Sequence, residues 1–409
     1  MLNFIWIFFF LTAFVTAVFK LVVQGDTQVF GELMNALFSL SKTAFEISLG
    51  LSGVLALWLG IMKIGEYSGF IDLLTRALNP LFSRLMPEIP SNHPALGAMT
   101  MNIAANMLGL DNAATPMGIK AMQEMQTLNP HPEQASNAQI LFLVLNTSSV
   151  TLFPVTIFAY RTQLGAVNPT DVFIPILIAT YMSTMTGLLA VAAVQKINLL
   201  DKVVLAYLAG ITAAVAGILA YFSGLDQAEM LAQSALASQV ILFSLVISFI
   251  AAAAYKRLNV YELFVDGAKQ GFQTAVTIIP YLVAMLVAFG VFRASGALEL
   301  ITAGVRLLVN ACGIDNRFID GLPTALMKPF SGSGARAMMI DTMKMHGADS
   351  FAGRLASVVQ GSTETTFYVL AVYFGAVNIK QIRHAAACGI MADMGGIVSA
   401  ILVTYWFFG

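Results

Sequence analysis

Charged residues are scarce in this sequence: only 11% of its 409 residues are Asp, Glu, Lys or Arg, and the formal net charge is −1. The mean hydropathy of +0.80 and several apolar runs of about 20 residues exclude an ordinary soluble protein. No Lys/Arg cluster provides a basic surface, so we expect no nucleic-acid partner. The composition predicts an all-α polytopic membrane protein that is surrounded by the lipid bilayer.

Cysteine and histidine are also few. Two isolated cysteines, Cys312 and Cys388, and four scattered histidines form no disulfide framework and no zinc-binding spacing. No G-x-x-x-x-G-K-[ST] phosphate-binding loop occurs, and "FSGSGA" (330–335) is not a G-x-S-x-G nucleophile elbow. An intramembrane enzyme with Glu364 and Asp393 as paired acids would lack a nucleophile, a base and an orienting group. We therefore expect no enzyme, no metal site and no cofactor beyond a coupling Na⁺ or H⁺.

Apolar windows long enough to cross a membrane are what the sequence has in abundance. The first window has no basic residues before it and exceeds the usual signal-peptide core, so we interpret it as a retained helix. We expect about nine crossings, within 3–23, 43–63, 138–160, 171–195, 202–222, 236–255, 271–292, 353–375 and 383–407.

Two segments, 66–88 and 294–312, alternate apolar and charged residues at helical spacing, which is typical of helices lying in the membrane interface. Each precedes an apolar segment that Gly, Asn, Ser or Pro interrupts, at 92–122 and 321–345. These segments indicate re-entrant hairpins, because a non-helical tip is tolerated in a membrane where protein or a water-filled cavity satisfies its backbone.

The order of interfacial helix, hairpin and spanning helices occurs twice, which predicts an internal duplication rather than a chance match of small apolar residues. We place the two copies at 1–200 and 201–409. An odd number of predicted crossings separates them, so they form inverted repeats of the kind found in secondary transporters. The residues that match at an offset of 227 are Lys42 with Lys269, Phe45 with Phe272, and Gly69 with Gly296.

The positive-inside rule places the N-terminus in the cytoplasm of a bacterial inner-membrane protein. The loop 223–235 has acidic but no basic residues and would lie outside, whereas the region 293–352 has several basic residues and disagrees with this orientation. The basic residues predicted on the cytoplasmic side are Lys196, Lys202, Lys256, Arg257, Lys269, Lys380 and Arg383.

Two predicted spans contain polar clusters, at 143–155 and 356–370. Apolar sequence resumes after each cluster, which indicates a discontinuous helix whose freed N–H groups and hydroxyls face a ligand. The alternative for each Ser or Thr is a hydrogen bond to its own helix or to a neighbour. The candidate substrate-binding residues here are Asn146, Thr147, Ser148, Ser149, Thr363, Glu364 and Thr365.

Glu364 is a carboxylate inside a predicted span, a position that costs about 2.5–3.5 kcal/mol on insertion scales. It therefore faces a cavity or a transported species, or it pairs internally with an arginine such as Arg336 or Arg354. Asp393, in "GIMADMGGIVSA", is the second intramembrane carboxylate. Either carboxylate is a candidate for holding a coupling proton or sodium ion.

The predicted hairpin tips add further polar groups, and Gly109, Gly332 and Gly334 permit the backbone to turn and to approach a ligand. A simple packing turn is the alternative for both tips. The candidate residues are Asn106, Asp111, Asn112 and Thr115 at the first tip, and Ser331, Ser333 and Arg336 at the second.

Several motifs resemble known families. "NMLGLDNAATPMGIKAM" is similar to the signature of the spore maturation protein A family, while "KPFSGSGARAM" and "GADSFAGRLASVVQGSTETTFYVLAVYFGAVNIKQIRHA" resemble the spore maturation protein B family. Both belong to a superfamily with a nucleoside-recognition "gate" domain, shared with concentrative nucleoside transporters. The resemblance implies a fused protein with a substrate site between the hairpin tips and the broken helices. The nucleoside-contacting motifs of those transporters do not match this sequence residue for residue.

We therefore expect a secondary-active, elevator-like transporter that moves a small polar solute by alternating access, coupled to protons or sodium. The second hypothesis is a non-transporting inner-membrane protein that organises envelope or spore-cortex partners. A homo-oligomer is compatible with both.

Overall fold

In the computed structural model, residues 2–109, 111–149, 151–313 and 315–409 are described, with the side chains of Leu2, Asp111, Asn112 and Ala113 outside the description. These ranges are helical almost throughout and contain no β-strand, which confirms an all-α protein. The helices are α1 Leu2–Phe19, α2 Val29–Ser68, α3 Phe70–Leu85, α4 Pro94–Met107, α5 Asp111–Thr127, α6 Asn137–Thr147, α7 Val155–Gln163, α8 Phe173–Gln195, α9 Lys202–Ser223, α10 Gln227–Tyr255, α11 Val260–Ala294, α12 Ala297–Ala311, α13 Leu322–Met327, α14 Gly332–His346, α15 Phe351–Ser362, α16 Thr366–Gly375 and α17 Ala385–Phe408.

Within the described ranges, seven helices are long and apolar enough to cross a membrane, which confirms a polytopic membrane protein. They are α1 with its continuation to Gln24, α2, α8, α9, α10, α11 and α17. The other two predicted windows, 138–160 and 353–375, fall on interrupted helices, so the total of nine crossings stays a prediction. Helices α2 and α11 have 40 and 35 residues and exceed the roughly 20 that a bilayer needs.

Helices α2 and α11 pack along each other over much of their length. Gly267 and Gly271 lie one turn apart on α11, and a Cβ atom added to either would come within 2.4 or 2.5 Å of a carbonyl of α2, at Leu59 and Leu55 respectively. Only glycine permits this close approach, and small residues four apart are a common device for packing helices in membranes. The two helices therefore form a tightly joined pair.

Two amphipathic helices, α3 and α12, correspond to the predicted interfacial segments. Each follows one of the long helices α2 and α11 after a glycine in the left-handed region, Gly69 with φ +93° and Gly296 with φ +87°. A lysine ammonium lies close to each glycine, from Lys256 and Lys20 respectively. The glycines permit the sharp change of direction, because L side chains rarely adopt that backbone conformation.

The two predicted hairpins are present as pairs of packed helices, α4 with α5 and α13 with α14. After each hairpin comes a helix that is interrupted midway. The first interruption separates α6 from α7 at 148–154, and the second separates α15 from α16 at 363–365. Cores formed by α8, α17 and these elements surround both interruptions.

A buried ion cluster joins the two halves of the chain at one end of the interrupted helices. Arg161, which is fully buried, donates to Asp171 (Nη2–Oδ1 2.8 Å) and Asp349 (Nη2–Oδ1 3.0 Å). Arg354 donates to the other oxygen of Asp171 (Nε–Oδ2 2.8 Å). The loop after α7 is thereby tied to the segment between α14 and α15.

Hydrogen bonds between the loops 128–136 and 376–384 also join the two halves. We call this contact and the buried ion cluster the two clasps. The Gln381 N–H donates to the Glu133 carbonyl (2.9 Å), and the Ala135 N–H donates to the Gln381 carbonyl (3.0 Å). Arg383 also donates to the Ala135 carbonyl (2.9 Å). In each clasp, the loop that precedes the interrupted helix of one half contacts the loop that follows the interrupted helix of the other half. Two oppositely oriented copies would make this reciprocal contact, although the inverted repeat and its boundary at 200/201 stay predictions.

Candidate functional site

The first interruption begins where α6 ends in the polar run 146–149. Thr147 and Ser148 are fully buried, and their hydroxyls donate back to Val144 and Leu145 of their own helix (2.9 Å each). Ser149 has a left-handed backbone with φ +52°, and its hydroxyl lies 3.1 Å from that of Thr151. The chain turns away from the helix at Ser149, which brings this residue to a cavity wall while Thr147 and Ser148 remain behind it.

The second interruption begins where α15 ends at Ser362. Thr363 and Thr365 are buried, whereas Glu364 between them is exposed and faces the same cavity. The Glu364 N–H donates to the Thr147 carbonyl (2.8 Å), so the two interruptions are in direct contact. Two residues 217 positions apart in the sequence thus meet at one point.

A polar cavity of about 360 Å³ lies where the two hairpins and the two interrupted helices meet. Of the residues predicted for the site, Asn106, Thr115, Asn146, Ser149, Arg336 and Glu364 line it. Further polar residues of its wall, which the sequence analysis did not single out, are Thr151, Thr156, Lys328, Gln360, Tyr368 and Tyr373.

A chain of amide groups forms the side of the cavity nearest the first hairpin. Asn106 of α4 donates to the side-chain oxygen of Asn146 on α6 (2.9 Å). One turn earlier, Asn102 donates to the Ala114 carbonyl of α5 (2.8 Å) and lies 3.3 Å from the hydroxyl of Tyr373 on α16. These contacts hold four elements in register. The i, i+4 spacing of Asn102 and Asn106 in an apolar helix was the available sequence signal for Asn102.

Three charged side chains are on the cavity wall: Lys328, Arg336 and Glu364. Lys328 is only 2% exposed, and the guanidinium of Arg336 lies over the ring of Tyr160, 5.7 Å from its centre. No salt bridge within 4.0 Å joins Glu364 to a cation in the described part of the chain. Arg354, one of its two suggested partners, instead binds Asp171 in the buried ion cluster.

The tip of the second hairpin closes over the second interruption. Ser331 caps α14 by accepting from the Gly334 N–H (2.9 Å), and its hydroxyl lies 3.3 Å from that of Ser333. Gly332 lies on the cavity wall, where an added Cβ atom would come within 2.8 Å of the Thr365 hydroxyl. Ser331 and Ser333 therefore shape the tip, and Gly332 permits it to approach α16 closely.

Asp393 lies behind the cavity on α17 and is 1% exposed. Its Oδ2 accepts from the Thr366 hydroxyl (2.7 Å), whereas its Oδ1 has no partner among the described residues. At the first hairpin, the backbone of Asp111 and Asn112 begins α5, but the positions of their side chains lie outside the described residues. The described residues contain no group of three or more His, Cys, Asp or Glu that could hold a metal ion.

The fold and this site define a multi-pass membrane protein with paired hairpins and paired interrupted helices around a polar cavity. A family model described as "Gate: Nucleoside recognition" matches residues 48–163 and 275–380, which together are more than half of the chain and include both hairpins and both interruptions. The chain belongs to this nucleoside-recognition gate family.

Two relatives each match part of the chain. It is 43% identical to spore maturation protein A of Bacillus subtilis (strain 168) over 183 residues, which are 45% of this chain and 90% of the relative. It is 49% identical to spore maturation protein B of the same organism over 154 residues, which are 38% of this chain and 85% of the relative. These matches are consistent with a fused A/B protein. No solved structure matches the chain.

Proposed function

We propose that this protein is a secondary-active transporter of a small polar solute, which it moves by alternating access through the cavity between the hairpins and the interrupted helices. The observation that carries the proposal is the meeting of both interruptions and both hairpins at one polar cavity of about 360 Å³. Discontinuous helices at a repeat interface are the usual binding-site architecture of secondary transporters. A cavity of this volume is within the range of small-molecule sites.

The chemistry of the wall supports a solute with several hydrogen-bonding groups. Amides from Asn106, Asn146 and Gln360 provide both donors and acceptors, and hydroxyls provide more. Lys328 and Arg336 favour an anionic or strongly accepting group, while Glu364 favours a donor or a cation. Membership of the nucleoside-recognition gate family makes nucleosides one class to test, and amino acids, sugars and cell-wall precursors are the others.

The two intramembrane carboxylates support coupling to an ion. Glu364 lies on the cavity wall, and Asp393 is buried behind it. Carboxylates in membrane spans mark ion and proton pathways. Coupling requires that the ion bind better to the state that also binds the solute. An elevator-like movement would carry the hairpins and interrupted helices past the α2–α11 pair. The proposal also places the protein in the inner membrane with a cytoplasmic N-terminus, and it assigns no enzymatic activity.

The test is a thermal-shift screen of the purified full-length protein against these four solute classes, at two pH values and in sodium or potassium, followed by uptake of any hit into proteoliposomes. We expect a solute that raises the unfolding midpoint, and Glu364→Gln to lose the solute shift or its dependence on pH or sodium. Glu32→Gln, which changes an exposed carboxylate on α2, is the matched control and should behave like wild type. A folded protein that binds and transports none of the solutes would contradict the proposal and favour a partner-organising role.

A further inference from the structure

Three backbone carbonyls converge on one hydroxyl behind the cavity. The Thr180 hydroxyl of α8 lies 2.7 Å from the Ser149 carbonyl oxygen, 3.2 Å from that of Gly361 and 3.3 Å from that of Ser362. The first carbonyl lies two residues after the end of α6, and the other two belong to the last two residues of α15. This convergence is a product of the tertiary structure, because the three elements are far apart in the sequence.

The hydroxyl cannot satisfy all three carbonyls. A threonine hydroxyl has a single hydrogen to donate, while its oxygen has two lone pairs. No other donor in the described part of the chain reaches these three carbonyl oxygens. The ends of α6 and α15 also carry the partial negative charge of helix C-termini, which favours a cation. Buried carbonyls without donors are rare in folded proteins and indicate a missing partner.

Two further buried oxygens without partners lie in the same region. Thr363, which follows Ser362 in the interruption, is fully buried, and its hydroxyl has no hydrogen-bond partner among the described residues. The methyl group of Thr363 and the side chain of Ser183 both lie against Gly396 of α17, which brings the interruption, α8 and α17 together. Asp393, one turn before Gly396, has the unpartnered Oδ1. The region thus combines neutral oxygen ligands with one buried carboxylate.

We infer that this convergence is a sodium site, in which the Ser149, Gly361 and Ser362 carbonyls and the Thr180 and Thr363 hydroxyls bind the cation and Asp393 supplies the compensating charge. The inference rests on the proposed function, for which it names the coupling ion and its place. Hard oxygen ligands suit a hard cation, and the described residues contain no group of three or more His, Cys, Asp or Glu of the kind that binds a transition metal. When the Thr180 hydroxyl rotates its hydrogen away from the carbonyls, a lone pair of its oxygen becomes free to bind the cation.

The location also explains how the ion would act on the solute site. Glu364 is the residue after Thr363, and its N–H holds the two interruptions together through the Thr147 carbonyl. A cation that joins the ends of α6 and α15 would fix both interruptions and therefore the positions of Ser149 and Glu364 on the cavity wall. Sodium bound behind the wall would thereby raise affinity for the solute in front of it.

The experiment measures sodium binding to the purified full-length protein without solute, by thermal unfolding in NaCl, KCl and choline chloride at equal ionic strength and by radioactive sodium binding. We expect a saturable stabilisation by sodium in the wild type. Thr180→Val and Thr363→Val should each raise the apparent Kd for sodium about tenfold or more, the range seen for removing a group that supports a metal site. Thr180→Ser keeps the hydroxyl and should keep the affinity.

The matched control is Thr184→Val, one turn along α8, because the Thr184 hydroxyl donates only to the Thr180 carbonyl of its own helix (2.9 Å). It should bind sodium like the wild type. A wild type that responds equally to all three salts, or valine variants with unchanged sodium affinity, would overturn the inference. Solute uptake that a proton gradient drives without any effect of sodium would overturn the sodium site and leave the transporter standing. Sodium binding lost in both valine variants, without uptake of any solute, would support the site and contradict transport.

Discussion

At the scale of single residues, the buried polar groups of this protein fall into two sets. Hydroxyls such as those of Thr147 and Ser148 are satisfied by their own helix and need nothing else. Others connect different elements, as Asn106 connects α4 with Asn146 of α6, or have no partner, as Thr363 does among the described residues. The second set marks the candidate site, because a polar group in a membrane is expensive to bury without a partner.

Replacing Asn106 with Ala should weaken the contact between the first hairpin and the first interruption. The change leaves the oxygen of the buried Asn146 without its donor, so we expect a loss of about 1–3 kcal/mol in the free energy of unfolding. Thermal and denaturant unfolding in detergent measures it, together with affinity for any solute identified. Asn35→Ala, at an exposed position of α2, is the control, and an equal effect of both changes would contradict the assignment.

Replacing Arg161 with Ala should destabilise the protein far more. Arg161 is fully buried and binds Asp171 and Asp349, and removing one partner of a buried ion pair typically costs about 3–5 kcal/mol. Lys269→Ala removes the exposed pair with Asp266 and should cost less than about 1 kcal/mol. Unfolding midpoints of the two variants test the difference, and comparable midpoints would show that the buried cluster does not stabilise the fold.

At the scale of elements, the hairpins and interruptions place polar groups in the membrane, while the α2–α11 pair provides a continuous apolar support. The interruptions differ in length, since 148–154 separates α6 from α7 and 363–365 separates α15 from α16. The two interruptions nevertheless lie next to each other, because the Glu364 N–H donates to the carbonyl of Thr147, the last residue of α6. The second interruption thus donates a backbone hydrogen bond to the end of α6, while the Leu152 N–H of the first donates to the Met107 carbonyl of the first hairpin (2.9 Å).

Replacing Gly271 with Ala should separate α2 from α11. An added Cβ atom would lie 2.5 Å from the Leu55 carbonyl, which is shorter than any tolerated contact, so the helices must move apart at a cost of about 1–3 kcal/mol. Gly210→Ala on α9 is the control, because nothing lies within 4 Å of its added Cβ atom. We expect a lower unfolding midpoint for the first variant and an unchanged or slightly higher midpoint for the second, since Ala favours helix.

At the scale of the whole molecule, two halves of one chain share a single site. The family model matches once in each half, and each of the two spore maturation relatives matches part of the chain. The two clasps tie each half to the other through the loops that flank the interrupted helices. Neither half alone encloses the cavity, because its wall includes residues from both.

The predicted orientation can be tested by cysteine labelling in intact cells. In a background with Cys312→Ser and Cys388→Ser, we expect Gly224→Cys, before α10, to react with a membrane-impermeant thiol reagent from outside. Asn198→Cys, before α9, should react only after the membrane is opened, because Lys196 and Lys202 hold this loop in the cytoplasm. The reverse pattern would place the N-terminus outside.

Some residues of the cavity wall could be singled out from the sequence, and others could not. Glu364 and Asn146 could be predicted because a charged or amide side chain in a long apolar run is costly in the membrane unless it faces a cavity or a polar partner. Lys328 and Gln360 were not, since each looks like an ordinary polar residue near a helix end. Tyr373 was missed because an aromatic residue in an apolar helix gives no sign that its hydroxyl faces Asn102 of the other half.

The amino-acid pattern alone was enough to predict the membrane location, the helices, the two amphipathic segments and the two interruptions. Each depends on local composition: a run of apolar residues favours the bilayer, and clusters of Gly, Pro and hydroxyl residues favour a break in a helix. The folded chain was needed to show which interrupted ends meet, which hydroxyls are satisfied locally and which oxygens converge on Thr180. Those contacts join residues far apart in the chain, and their energy depends on packing that no local pattern records.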